Sequence, residues 1–123
     1  MFRSILLSLL LIGCAQSTNT SSGPIDISDI PVYQDAEFSK VVDVYKVGGK
    51  TIIEVDVKHN TAWTVGAYFR ILNSSPWVIV ENNTSSEGGT FITQKRPRKM
   101  TVEIQPVSEA DSHVVQTIWR EYN

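Results

Sequence analysis

One cysteine, five prolines and no apolar run of membrane-spanning length mark what this 123-residue chain lacks. A single thiol cannot close a disulfide within the chain, so a folded domain here must be held by its packed core. The longest apolar stretch, Ile5 to Ile12 with Ser8 inside it, falls well short of the roughly 20 residues that cross a bilayer as a helix. Charge of either sign is not in large excess. Eleven Lys and Arg face 13 Asp and Glu for a formal net charge of -2, which argues against nucleic-acid binding by bulk charge. No serine lies in a Gly-x-Ser-x-Gly setting, and no His/Cys/Asp/Glu set has a recognised metal-ligand spacing, so no catalytic residue, metal or cofactor is expected.

What the chain does have begins at its start. Arg3 precedes the short apolar run, and the run ends in Leu11-Ile12-Gly13-Cys14. That order resembles the lipobox of bacterial lipoproteins. The resemblance implies a signal peptide over residues 1–13 and lipidation of Cys14, which becomes the first mature residue. Two or more acyl chains anchor stably because each buried methylene contributes about 0.8 kcal/mol. Ala15 stands where lipoproteins kept at the inner membrane often carry Asp, so the resemblance favours the outer membrane of a bacterial envelope. Cleavage leaves 110 residues, enough for one domain. Residues 14–28 read as the lipidated cysteine and a flexible tether, because the run AQSTNTSSG has too little apolar surface to offset the entropy of ordering. Its coil spans about 17 Å and stretches to no more than about 35 Å. The domain is expected over residues 29–123.

Within the domain, hydrophobic period separates strand from helix. Ile53, Val55 and Val57 alternate with Glu54, Asp56 and Lys58, as in a strand with one wet face. Phe38 to Val47 precedes it across Gly48-Gly49, a pair suited to a hairpin turn. Val65, Tyr68, Phe69 and Leu72 then fall at i, i+3, i+4 and i+7, the stripe of a helix from Thr61 to Leu72 that Asn60 or Thr61 can cap. Pro76 closes that stretch. Four more strands are expected at Trp77 to Glu81, Thr90 to Lys95, Met100 to Gln105 and His113 to Tyr122, with Asn82 to Gly89 as a flexible loop. The predicted fold is therefore α+β: an antiparallel sheet in the order β-β-α-β-β-β-β packed on a single helix.

Ile30-Pro31-Val32-Tyr33-Gln34-Asp35-Ala36 resembles the opening of a small exported lipoprotein domain with a Pro-x-Tyr-Pro-Gly-Ala signature. Tyr68-Phe69 and Pro76-Trp77 match that family's later aromatic positions. Gln34-Asp35 departs from its Pro-Gly. The resemblance spans roughly residues 31–122 and implies a fold; it implies no activity.

Four side chains carry most of the local positive charge: Lys95, Arg96, Arg98 and Lys99, arranged around Pro97. Such a patch attracts anionic lipid or an acidic partner, and it equally describes a solvated hairpin turn. Trp63 lies off the centre of the helix stripe and is a candidate protein contact, whereas Trp77 and Trp119 read as core. His59 and His113 read as capping or surface residues; pairings of His59 with Asp56, or of His113 with Glu109 and Asp111, are the only metal arrangements their neighbourhoods offer. Asn-x-Ser/Thr triplets at Asn19, Asn73, Asn82 and Asn83 receive no role. The function expected is a lipid-anchored envelope protein acting as a non-enzymatic binding or accessory subunit, attached to membrane by its anchor and to a protein partner, with no nucleic acid. The alternative is a small periplasmic ligand-binding receptor or hydrolase with its site between helix and sheet.

Overall fold

The computed structural model describes residues 25–121; Cys14, the expected signal peptide, most of the expected tether and Tyr122 lie outside the described residues. The chain folds as β1 (Ser39–Val47), β2 (Lys50–Val57), α1 (Thr61–Asn73), β3 (Val78–Ser85), β4 (Gly88–Lys95), β5 (Arg98–Pro106) and β6 (Ser112–Arg120). The strands form one six-stranded antiparallel sheet in the order β1-β2-β6-β5-β4-β3, with α1 packed on one face. This is the α+β layout the periodicity predicts. No described helix is long and apolar enough to cross a membrane.

Gly48 and Gly49 adopt φ of 55° and 82°, the left-handed values of a tight hairpin turn, and set the register Val47↔Lys50. The chain between Asn82 and Gly89 is not a flexible loop. β3 runs to Ser85, and only Ser86 and Glu87 separate it from β4. Gly89, at φ 129°, lies so close to β3 that a Cβ there would meet the Asn83 carbonyl oxygen. Its small size lets the ladder continue through a segment whose polar composition reads as a loop.

Both edge strands carry a register shift, between Val41 and Asp43 in β1 and between Ile79 and Glu81 in β3. Each shift turns one valine, Val42 or Val80, out to solvent. Bulges of this kind twist an edge and discourage pairing with another chain.

The covered face of the sheet follows the alternation read from sequence: Ile53, Val55, Val57, Met100, Val102 and Ile104 are all buried. On the helix the stripe is rotated from the expected one. Tyr68 and Leu72 are buried, but Phe69 is 41 % exposed and Thr61 and Thr64 are buried instead. The threonines fit because Ser112 of β6 meets them: Thr64 Oγ1 donates to Ser112 Oγ at 3.2 Å and Ser112 Oγ donates to the His59 carbonyl at 2.8 Å. Hydropathy is blind to burial stabilised by hydrogen bonds of this kind.

Beside α1, the segment from Ile27 to Tyr33 completes the cover over the core. A buried polar seam fastens it. Gln116, fully buried in β6, donates through Nε2 to the Pro31 carbonyl at 2.9 Å and accepts at Oε1 from Tyr68 Oη at 3.0 Å. Tyr68 Oη in turn accepts from the Tyr33 amide at 3.3 Å. Burial pushes the Tyr68 phenol well above its usual value, so it stays neutral and able to donate.

Candidate functional site

The N-terminal segment runs along α1 and links two ends of the domain with different character. At the helix N-terminus, Asn60 is the cap, its Oδ1 accepting from the Trp63 amide at 2.8 Å. The cap fixes the first turn and so places Trp63 over His59. Their rings stack at 3.6 Å between centroids and 24° between planes, and His59 lies in turn against Phe38 at 4.7 Å. Tyr33 meets the Trp63 ring edge-on at 5.3 Å. Trp63 itself is 36 % exposed, so the column ends in an indole open to solvent. Four aromatic rings from two separate stretches of chain, 33–38 and 59–63, are thereby fixed in orientation, a rigid amphipathic surface of the type that anchors protein contacts. His59, read from sequence as capping or surface, is the middle ring of this stack.

The other end is built around the β4–β5 hairpin. Arg96 and Pro97 form its turn, joined by a cis peptide bond. Arg98 pairs with Asp29, Lys95 approaches the same carboxylate at 3.7 Å, and the Arg98 guanidinium lies 5.2 Å from the centre of the Trp77 ring. Trp77, 2 % exposed, donates through Nε1 to the Asp29 carbonyl at 3.2 Å. The hydrogen bond and charge of Arg98 hold the Asp29 carboxyl below its ordinary value. Two of the four cations read as a patch therefore have structural partners, while Arg96 is exposed and Lys99 points to the uncovered face of the sheet.

The structure does not gather the sequence candidates into one site. Trp63 lies in the first turn of α1 and the basic hairpin beyond its last, so the helix alone sets them about 15 Å apart at 1.5 Å per residue. Trp77 is core as expected. Trp119 is not: it is half-buried on the uncovered face with the Lys50 ammonium 5.7 Å from its ring. Cys14 lies outside the described residues.

His113 has different neighbours from those expected. Strand register sets it beside Asp56, and its Nδ1 lies 2.8 Å from Asp56 Oδ1 while Nε2 lies 3.1 Å from Glu54 Oε1. Glu54 also accepts from Tyr45 Oη at 2.7 Å. The imidazole separates the two carboxylates, so they share no point at which a cation could sit; no group of three metal-ligating side chains occurs among the described residues. Both contacts are hydrogen bonds only when the ring carries both protons.

Sequence reasoning missed the partners more than the principals. Asp29 as counter-ion to the hairpin, and Tyr33 and Phe38 as companions of Trp63, are remote along the chain and meet only in the fold, whereas His59 is four residues from Trp63 and is brought under it by the helix cap. Between helix and sheet the space is filled by Tyr68, Leu72, Phe91, Met100 and Val102, each fully buried. The surface depressions lie elsewhere, for example one of about 250 Å³ lined by Asp56, Lys58, Val107, Asp111 and Ser112. Comparison with family models, characterised proteins and solved structures finds no match.

Proposed function

We propose that this chain is a lipid-anchored protein of the bacterial envelope, held at the outer membrane through Cys14 and serving without catalysis as a binding or accessory subunit of an envelope assembly. The observation that carries the reading is the Trp63 column at the end of α1 remote from Asp29. A chain tethered upstream of Asp29 enters the domain at the hairpin end and passes along the helix to Tyr33. An anchor there leaves the aromatic end pointing away from the membrane, toward a protein partner. The lipobox-like Leu11-Ile12-Gly13-Cys14 supports the anchor, and the fixed rings support the contact. A receptor or hydrolase with a site between helix and sheet finds no support in that tightly filled interior.

In-cell crosslinking of the tagged full-length chain tests this reading. A reproducible partner that is lost with Trp63→Ala while the variant remains folded at the temperature of the assay supports it, as does release from membranes with Cys14→Ser. A partner retained undiminished by Trp63→Ala, or membrane association unchanged by Cys14→Ser with no change in processing, overturns the corresponding half.

A further inference from the structure

We propose that the hairpin end of the domain is a docking surface for anionic lipid headgroups, on which the tethered domain stands; the proposal rests on the lipid-anchored reading and deepens it. Strand register brings to this end cations that sequence scatters. Lys50 of β2 lies opposite Val47 of β1, next to Trp119 of β6, which pairs with Lys99 of β5. Arg98 pairs with Arg120 in the adjacent position, and Lys46 is separated from the Gly48-Gly49 turn by Val47 alone. With Lys95 and Arg96 this end holds seven cations. Against them stand Asp29, Glu121 and, three residues before Asp29, Asp26. The opposite end is acidic: Asp35, Glu37, Asp56, Glu87, Glu109 and Asp111 outnumber Lys40 and Lys58. A chain of formal net charge -2 is thus polarised along its strands, about +4 at one end and -4 at the other, with Asp43, Glu54, Glu81, Glu103 and Arg70 between them.

Lipid is favoured over an acidic protein by where the chain enters. Asp29 is bound to Arg98 and Lys95, so the described chain, which starts at Ile25, begins within a few residues of the cationic end. A tether with a coil span of about 17 Å holds that end against the headgroups. The surface also has the makeup of a membrane-interface contact, since exposed Val47 and Val78 and the half-buried Trp119 lie among the lysines. The acidic end is simultaneously repelled, which orients the Trp63 column outward.

Vesicle flotation of the full-length chain carrying Cys14→Ser, on phosphatidylcholine with or without phosphatidylglycerol, reads the surface without the acyl anchor. The leader is common to every variant and cancels in the comparison. The expected result is preference for the anionic vesicles that collapses as salt is raised past physiological strength. The exposed substitutions Lys46→Gln, Arg96→Gln and Arg120→Gln together should reduce it by up to about a hundredfold, at about fivefold per charge. Lys40→Gln with Lys58→Gln, at the other end, should leave it within twofold. Equal binding to both vesicle types, insensitivity to salt, or equal losses in the two variants overturns the proposal. Fractionation of cells expressing Cys14→Ser reads the anchor by itself. An anchor without headgroup preference defeats the docking surface alone, and headgroup preference without an anchor defeats the anchored reading alone.

Discussion

The two ends of helix α1 use the same materials, tryptophan with a polar or charged ring-facing group, to opposite effect. At the C-terminal end Trp77 is buried, bonded to the Asp29 carbonyl and roofed by Arg98, so the indole contributes to the core and the cation to closing it. At the N-terminal end Trp63 stacks on His59 and remains open to solvent. The difference comes from the path of the N-terminal segment. That segment crosses Trp77, which bonds the Asp29 carbonyl, whereas at the other end it gives Trp63 only the edge of the Tyr33 ring and leaves the indole partly exposed. An aromatic side chain is therefore structural or available according to whether a second stretch of chain passes over it.

The sharpest way to break this comparison is Trp77→Ala. Loss of a fully buried indole should cost about 3–5 kcal/mol, seen as a large fall in the denaturation midpoint. A loss as small as that of a surface residue would mean the hairpin end is not core. Tyr68→Phe attacks the seam that holds the N-terminal segment along both ends. It leaves Gln116 Oε1 without its donor and the Tyr33 amide without its acceptor, at about 1–3 kcal/mol. Faster hydrogen exchange at Tyr33 in that variant would locate the loss.

Trp63→Ala should cost about 1–3 kcal/mol, from partial burial and two aromatic contacts, while abolishing partner capture. Equal damage to stability by Trp63→Ala and Trp77→Ala would erase the distinction between the ends. Asp29→Asn is expected to be the smallest effect, below about 1 kcal/mol, because the pair is partly exposed and screened by solvent. Its sign is set by the depressed carboxyl of the folded state. The contribution is present above the unfolded value near 4 and fades as pH falls through the lower folded value. Urea midpoints measured across that acid range should therefore fall less steeply in Asp29→Asn than in the parent.

Much of the architecture was legible because period-2 alternation at Ile53 to Val57 and Met100 to Ile104, and the Gly48-Gly49 pair, are local signals. The elements that eluded such reading have non-local causes. Thr61 and Thr64 are buried because Ser112 comes to meet them, and Phe69 is exposed because that rotation of the helix suits the hydroxyls. Asn82 to Gly89 pairs as strand because β5 and β3 approach Gly88 and Gly89 more closely than a side chain would permit. Trp119 is apolar and strand-borne, yet it lands on the uncovered face by the parity of β6.

The candidate site divides in the same way. Sequence alone carries the lipobox-like segment, the short polar run after it, the density of charge around Pro97 and the presence of an off-stripe tryptophan, since each is a property of neighbours along the chain. Only the tertiary structure decides that Arg98 is occupied by Asp29, that Trp63 completes a stack with His59, Phe38 and Tyr33, and that lysines and arginines from three stretches of chain share one end. Those facts depend on strand register and on the path of a segment far away in sequence, and register is set by the cooperative packing of the whole sheet.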